Sequence, residues 1–236
     1  MRVGLLVCDH VREEFRSLAG DYPQMFAGLF AGHPDIELRP YDLTAGEFPT
    51  STAECAAWIG TGSRWSVNDD VPWIRRLEDL VAAFVGEGRR FVGVCFGHQM
   101  IGRALGGEVA RSERGWGVGV KEVGVHLTED WMTPPAPSYR VLNSHADQIV
   151  RASDGIRVLG SNEHCPISML AVGDHVLGIQ GHPEFVPGYA RALMEGRRGR
   201  LIPEEVVDAG LGTLAEPVDR ELLAGWIAAF LLRDLR

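Results

Sequence analysis

A cysteine between two glycines is the strongest candidate for a reactive residue in this chain. Gly93-Val94-Cys95-Phe96-Gly97 ends the short apolar run 89–95 and precedes a helical segment predicted to begin at His98. This is the form of a nucleophile elbow, in which glycines two residues before and after the nucleophile let a strand and a helix approach without a Cβ clash. The thiol would then project above the first turn of the helix, whose dipole favours thiolate. Taken alone, the motif fits a buried cysteine at a strand end almost equally well.

A histidine and a glutamate far along the chain complete a candidate catalytic set. His182-Pro183-Glu184 directly follows the strand-like run 175–181. Pro183 restricts His182 to an extended conformation, and side chains two residues apart on an extended segment point to the same side. Glu184 would then orient His182 while His182 acts as the base for Cys95. Taken alone, the tripeptide fits a strand-ending turn with a solvated acid.

The elements that must position these residues form the pattern of an α/β protein. Short apolar runs alternate with longer amphipathic stretches, as expected for strands interleaved with helices. After residue 107 the chain becomes β-rich, with a tight hairpin predicted around Gly173-Asp174, and it ends in helices. The basic run 195–200 is interpreted as a solvated helix end. The predicted strands of the first half are 2–7, 36–42, 56–62 and 89–95, and the predicted helices start near Asp21, Pro72 and His98.

The amino-acid composition of this chain limits the classes of molecule expected as its partners. The 236 residues are 45% hydrophobic and 23% charged, as in ordinary globular proteins, and the formal charge of −9 argues against nucleic acid or an anionic membrane as the main partner. The N-terminal apolar run is too short to span a membrane, so a cytoplasmic location is expected. Cys8, Cys55 and Cys165 lack flanking glycines and are assigned to packing, and no cysteine spacing predicts a metal site.

Several motifs, in order, resemble those of the class I (triad) glutamine amidotransferases. That family has a G-x-C-x-G-x-Q elbow followed much later by H-P-E, which matches residues 93–99 and 182–184. Residues 62–69 resemble the family's oxyanion strand and loop, and Asn-Ser-His-Ala-Asp at 143–147 resembles its S-H-x-D segment near the substrate. The resemblance extends from about residue 3 to 185 and is nearest to the amidotransferase domain of GMP synthases and its stand-alone relatives.

The resemblance implies a fold and a catalytic triad. The fold would be a single flavodoxin-like α/β domain over residues 1–236, with a mainly parallel central sheet flanked by helices, a nucleophile elbow and an added β-rich segment. Its core would span about 3–185, and its C-terminal helices about 187–236. The triad would consist of Cys95 as the nucleophile, His182 as the base and acid, and Glu184 as the orienting carboxylate.

The resemblance also implies an oxyanion hole and a set of substrate contacts. Backbone N–H groups of Phe96 and of Gly62 or Ser63 would stabilise the oxyanion. The family usually has Gly-Pro where this chain has Ser63-Arg64, so a less rigid loop is expected. Trp116 lies in the region expected to border the glutamine pocket, although packing in a hairpin explains it equally well. The implied substrate contacts are Gln99, Ser144, His145, Ala146 and Trp116.

Three functions stay open on the sequence. The first is a glutaminase that releases ammonia from glutamine through a thioester and supplies a separate synthase subunit, because this chain has no Gly-rich phosphate loop. The second is a stand-alone γ-glutamyl hydrolase or peptidase that acts on a small γ-glutamyl amine or peptide. The third is a non-enzymatic module or a DJ-1-like or PfpI-like cysteine protein. Both enzymatic interpretations imply a small-molecule γ-glutamyl substrate, and neither needs a metal or a cofactor.

Overall fold

Strands and helices alternate along the first half of the chain, and strands predominate between residues 108 and 179. A computed structural model describes residues 1–233. Within that range the strands are β1 (Arg2–Val7), β2 (Glu37–Asp42), β3 (Ala57–Gly60), β4 (Arg90–Val94), β5 (Glu108–Arg111), β6 (Gly117–Val125), β7 (Ser138–His145), β8 (Asp147–Arg151), β9 (Ile156–Ser161), β10 (Met169–Val172) and β11 (Val176–Ile179). The α-helices of the same range are α1 (Arg16–Ala19), α2 (Tyr22–Leu29), α3 (Pro72–Gly86), α4 (Phe96–Ala104), α5 (Pro187–Glu195), α6 (Glu204–Gly212) and α7 (Arg220–Leu232).

Nine strands form one sheet in the order β2-β1-β3-β4-β11-β10-β9-β6-β7. The first five are parallel to one another, and each later strand is antiparallel to its neighbour. β5 and β8 form a separate antiparallel pair. The expected α/β fold, with a mainly parallel central sheet and an added β-rich segment, is confirmed. Because β4 and β11 are parallel neighbours, the residues that follow them meet at one edge of the sheet, where α/β folds place their sites.

Helices cover both faces of the parallel strands, so these strands are apolar on both sides. On one face, Val3 and Leu5 of β1 belong to the same buried cluster as apolar residues of α2 and α7. On the other face, Leu6 and Trp58 belong to a cluster with apolar residues of α3 and α4. These two layers fix the positions of the strand ends that carry the candidate residues.

Two helix starts show how the sequence positions the site. Asp21 caps α2 as predicted, since its carboxylate accepts from the N–H of Tyr22 while Gln24 accepts from the N–H of Asp21. The start predicted for α4 at His98 is wrong by two residues, because the helix begins at Phe96. Cys95 itself therefore occupies the N-cap position.

Three of the described elements are absent from the sequence prediction, namely α1, β8 and α6. β8 follows β7 after the single residue Ala146, so the run appears continuous in the sequence. α6 contains Gly210 and Gly212, which weaken a helical pattern. The predicted hairpin is confirmed, with β10 and β11 joined through Gly173 at a φ of 51°. In residues 1–233 no helix has the length and apolar character needed to cross a membrane.

Candidate active site

Cys95 has an unusual backbone conformation at the turn from β4 to α4. Its φ of 51° is the only positive value at a non-glycine residue in the described range. A Cβ atom on Gly93 would lie 2.4 Å from the carbonyl oxygen of Gly97, and a Cβ on Gly97 would lie 2.6 Å from the carbonyl oxygen of Gly60. Both contacts are with backbone, so the turn requires glycine on each side of the cysteine. The predicted elbow geometry is present.

His182 and Glu184 form a buried pair beside this turn. The Nδ1 atom of His182 lies 2.7 Å from Oε1 of Glu184, and the two side chains are 3% and 0% exposed. The N–H of His182 donates to the carbonyl oxygen of Leu142, which connects the residue to β7. The ring of Phe185 stacks on the imidazole at a centroid distance of 3.9 Å. Since Nδ1 is bound to the carboxylate, Nε2 is the nitrogen left for another partner.

The charges around His182 favour its imidazolium form. Burial alone would lower the pKa of His182, but the nearby Glu184 and Cys95 side chains outweigh burial and raise the pKa above its ordinary value. A hydrogen bond between His182 and Cys95 contributes to this increase. The side chains of Glu184 and Cys95 therefore stabilise the protonated form of His182.

A residue that sequence reasoning missed also contacts the cysteine sulfur. Gln180 is fully buried, and its Nε2 lies 3.7 Å from Sγ of Cys95. Its Oε1 accepts from Nε2 of Gln99 at 3.3 Å. The position of Gln180 in the sequence could have indicated this contact. Gln180 directly follows β11 and lies two residues before His182, and β11 pairs with β4, which ends just before Cys95.

The loop after β3 carries the predicted oxyanion donors. The N–H of Gly97 donates to the carbonyl oxygen of Thr61 and so connects the elbow to this loop. Within residues 1–233, the N–H groups of Gly62 and Ser63 donate to no protein acceptor. Phe96 is the first residue of α4, so its N–H has no acceptor within the helix. A Cβ on Gly62 would lie 2.7 Å from Cε1 of His182, so the loop backbone lies directly against the imidazole.

Side-chain hydrogen bonds hold this loop to the residues that follow β1. The carboxylate of Asp9 accepts from the backbone N–H of Arg64 at 2.8 Å and from its Nε at 2.8 Å and 2.9 Å. The hydroxyl of Ser63 donates to the carbonyl oxygen of Cys8 at 2.9 Å. Side-chain hydrogen bonds to the end of β1 thus restrain the segment. The lower rigidity expected from the absent proline stays a prediction.

All five predicted substrate contacts line one cavity of about 160 Å³, which we call the inner cavity. Cys95 and Ser63 also line it, whereas Gly62, Phe96, His182 and Glu184 do not. The pairing of β6 with β7 explains why these residues lie together. Gly117 pairs with His145, so the residue before β6 lies next to the end of β7. The residues brought together are Gln99, Trp116, Ser144, His145 and Ala146.

The polar side chains of the inner cavity are held by hydrogen bonds. Nε2 of Gln99 donates to the carbonyl oxygen of Asp147 at 2.7 Å, and Nδ1 of His145 lies 3.1 Å from the same oxygen. Burial, reinforced by the neighbouring His164, lowers the pKa of His145 to about 3, so its imidazole is neutral. The hydroxyl of Ser66 donates to the side chain of Asp147 at 2.7 Å. Gln99 and His145 therefore present oriented neutral groups to the cavity.

One arginine of the basic run 195–200 belongs to this site. Arg197 is half-buried, lines the inner cavity, donates from its guanidinium to the hydroxyl of Ser144 at 2.9 Å and lies over the ring of Trp116 at 5.4 Å. The interpretation of this run as a solvated helix end holds for Arg198, which pairs with Glu195 and with a second carboxylate. It is wrong for Arg197.

Comparison with known proteins identifies the family. The family model described as glutamine amidotransferase class-I matches residues 69–195, which is more than half of the chain. This chain belongs to the class-I glutamine amidotransferase family. The match includes the elbow and the His-Pro-Glu segment, so the resemblance in the motifs is confirmed at the level of the family.

Relatives of this family member differ in how much of it they cover. A Schizosaccharomyces pombe protein named as glutamine amidotransferase-like is 28% identical over 245 residues, covering 98% of both chains. Gamma-glutamyl peptidase 3 of Arabidopsis thaliana is 26% identical and covers 77% of this chain and 75% of its own length. One chain of the glutamine-hydrolysing GMP synthase of Sulfolobus acidocaldarius is 33% identical but covers only 39% of this chain and 50% of its own length.

The fold of this amidotransferase family member also matches solved structures. A glutamine amidotransferase of Thermotoga maritima superposes with a TM-score of 0.74 at 18% identity, covering 98% of this chain and 99% of that one. At this identity the match concerns the fold alone.

The other three cysteines of this family member are also free and buried. Burial raises the pKa of Cys8 to about 12 and that of Cys165 to about 11, so both stay protonated near neutral pH. Cys55 is 3% exposed. All three fit the packing role expected from the sequence.

Proposed function

We propose that this protein hydrolyses a γ-glutamyl amide bond through a thioester on Cys95. The observation that carries the proposal is the strained elbow that places Cys95 next to the buried pair of His182 and Glu184. A positive φ at a non-glycine residue costs on the order of 1–3 kcal/mol and is kept mainly at functional sites. Membership of the family supports the same class of reaction.

In the proposed acylation, the sulfur of Cys95 attacks the δ-carbonyl carbon of the γ-glutamyl group. The C–S bond forms and gives a tetrahedral intermediate, with the thiol proton held by His182. The C–N bond then breaks as His182 gives that proton to the leaving nitrogen. Water then attacks the thioester with His182 as the base, which releases glutamate and restores the thiolate. Glu184 holds Nδ1 of His182 throughout, so Nε2 faces the reaction.

The negative oxygen of each tetrahedral intermediate needs donors that are already in place. We assign this role to the N–H of Phe96 and to that of Gly62 or Ser63, which have no protein acceptor in residues 1–233. Losing one such donor typically costs about 100- to 1,000-fold in rate. Gln99, Ser144, His145, Ala146 and Trp116 are proposed to contact the γ-glutamyl group in the inner cavity.

Two substrates fit the proposed chemistry. Glutamine would make the protein a glutaminase whose ammonia passes to a separate synthase subunit. A γ-glutamyl amine or peptide would make it a stand-alone hydrolase, and two observations favour this second interpretation. Gamma-glutamyl peptidase 3 aligns with 77% of this chain, against 39% for the GMP synthase chain, and a second cavity lies on the His182 side of the site. We place the reaction in the cytoplasm, where unpaired thiols stay reduced.

A substrate panel followed by mass spectrometry tests the proposal. Purified protein is incubated with glutamine, glutathione, γ-glutamyl amines and γ-glutamyl dipeptides. We expect wild type to release glutamate from at least one of them, Cys95→Ala to show only background, and the matched control Cys165→Ala to stay active. Absence of hydrolysis across the panel, with and without lysate as a source of a partner protein, would overturn the proposed enzymatic function.

A further inference from the structure

Cys95 and His182 line different cavities of the site. Cys95 lines the inner cavity, whereas His182 lines a second one of about 200 Å³, which we call the outer cavity. Ser63, Ser144 and Arg197 line both, so the two cavities adjoin. In the proposed reaction the acyl carbon must reach Cys95, and the leaving nitrogen must reach the proton on His182. The γ-glutamyl group therefore belongs in the inner cavity and the leaving group in the outer cavity.

The outer cavity is larger than ammonia needs, and one of its walls is apolar. Water occupies only about 30 Å³ in the liquid, and ammonia is of similar size. Phe15, Tyr189 and Phe185 form an aromatic wall, in which the Tyr189 ring meets that of Phe15 at 6.5 Å and that of Phe185 at 4.7 Å, both edge to face. Leu193 and Leu201 extend this wall. Such a surface fits an amine that carries an apolar side chain.

Three arginines give the outer cavity a positive charge. Arg12, Arg197 and Arg200 all line it. Within residues 1–233, Arg197 and Arg200 form no ion pair, and Arg12 pairs only with Glu14, whose side chain is 62% exposed. Arg197 and Arg200 have no carboxylate partner in that range and Arg12 has only an exposed one, so these guanidinium groups are suited to bind an anionic group of the substrate.

The acidic residue at this cavity does not cancel the arginines. Asp9 lines the cavity but is bound by Arg64 at 2.8 Å. His10 also lines the cavity. It is held by the carboxylates of Asp21 at 2.7 Å and Asp42 at 2.9 Å, and neither of these carboxylates lines the cavity. The net charge that faces the cavity is positive.

We propose that the outer cavity is a leaving-group subsite for γ-glutamyl compounds whose leaving amine is an amino acid or peptide with an apolar side chain and a free carboxylate. The inference rests on the proposed hydrolysis and names its substrate class. The carboxylate binds Arg12, Arg197 and Arg200, and the apolar part packs on Phe185 and Tyr189. Glutamine releases only ammonia and makes no use of the subsite.

The test compares two substrates that differ only in that carboxylate, γ-glutamyl-phenylalanine and γ-glutamyl-phenethylamine. Wild type is expected to prefer the first by at least about tenfold in kcat/KM, the usual range for a charge-assisted hydrogen bond. The double variant Arg12→Gln/Arg200→Gln is expected to reduce the preference below about threefold. Arg198→Gln is the matched control and keeps the preference, because Arg198 pairs with Glu195 and Asp208 and does not line the cavity.

Glutamine is assayed in parallel and separates failure of the subsite from failure of the proposed function. Equal kcat/KM on the two compounds in wild type, or an unchanged preference in the double variant, overturns the subsite. Hydrolysis of glutamine together with either result leaves the proposed function intact. Failure to hydrolyse all three compounds overturns the subsite, and the proposed function falls with it when the substrate panel described above is also negative.

Discussion

Nδ1 of His182 and Oε1 of Glu184 lie 2.7 Å apart, in side chains that are both buried. The imidazole N–H donates to the carboxylate, which fixes the tautomer that leaves Nε2 free for proton transfer. Glu184→Gln keeps the shape of the side chain but removes its charge. We expect kcat/KM for a γ-glutamyl substrate to fall by on the order of 100-fold. Glu205→Gln, an exposed change on α6, is the control, and activity within twofold of wild type in Glu184→Gln would refute the orienting role.

The same variant has a pH signature. The negative charge of Glu184 is one cause of the raised pKa of His182. Removing that charge lowers the pKa, so His182 loses its proton at a lower pH. In a profile of kcat/KM against pH, the basic limb is therefore expected to move to lower pH in Glu184→Gln. A basic limb that stays in place or moves to higher pH would contradict the assigned coupling.

The glycines of the elbow are expected to matter for stability. Gly93→Ala would place a Cβ 2.4 Å from the carbonyl oxygen of Gly97, and backbone on both sides prevents an easy shift. We expect the free energy of unfolding in urea to fall by about 1–3 kcal/mol. Gly86→Ala at the end of α3 meets nothing within 4 Å and is expected to be neutral or slightly stabilising. Equal stability of the two variants would show that the elbow tolerates a side chain.

The ion pair that holds the oxyanion loop provides another test. Asp9→Ala removes the acceptor for the backbone N–H and the guanidinium of Arg64, so the N–H groups of Gly62 and Ser63 lose their support. We expect kcat for glutamine to fall by roughly tenfold with a smaller change in KM, because these donors act in the transition state. Arg64→Ala keeps the backbone hydrogen bond and is expected to lose less. An unchanged kcat in Asp9→Ala would show that the loop needs no such support.

The parts of the site that could be predicted from the sequence are those encoded by local chemistry. Gly93 and Gly97 mark a turn that only glycine permits. The extended segment predicted over 182–184 is wrong beyond His182, because the N–H of Phe185 donates to the carbonyl oxygen of His182 and places Pro183 and Glu184 in a turn. The central strands were predictable because burial on both faces requires short apolar runs.

The remaining features depend on contacts between distant segments. Gln180 is an ordinary polar residue until the pairing of β11 with β4 brings it to Cys95. Arg197 resembles part of a surface charge run in the sequence, and only the fold brings it to Ser144 and Trp116. Asp9 accepts a hydrogen bond from the N–H of Arg64, which lies 55 residues further along the sequence. Local spacing carries no signal for such contacts.

The proposed function requires that Cys95 carries the γ-glutamyl group during turnover. Rapid acid quench during hydrolysis of a γ-glutamyl substrate, followed by intact-protein and peptide mass spectrometry, detects this adduct, with the rate of hydrolysis measured in parallel. We predict one γ-glutamyl group on Cys95 in wild type and in Cys165→Ser, and neither adduct nor hydrolysis in Cys95→Ser. Hydrolysis by Cys95→Ser at the wild-type rate, or a γ-glutamyl group on any other residue, would contradict the proposal.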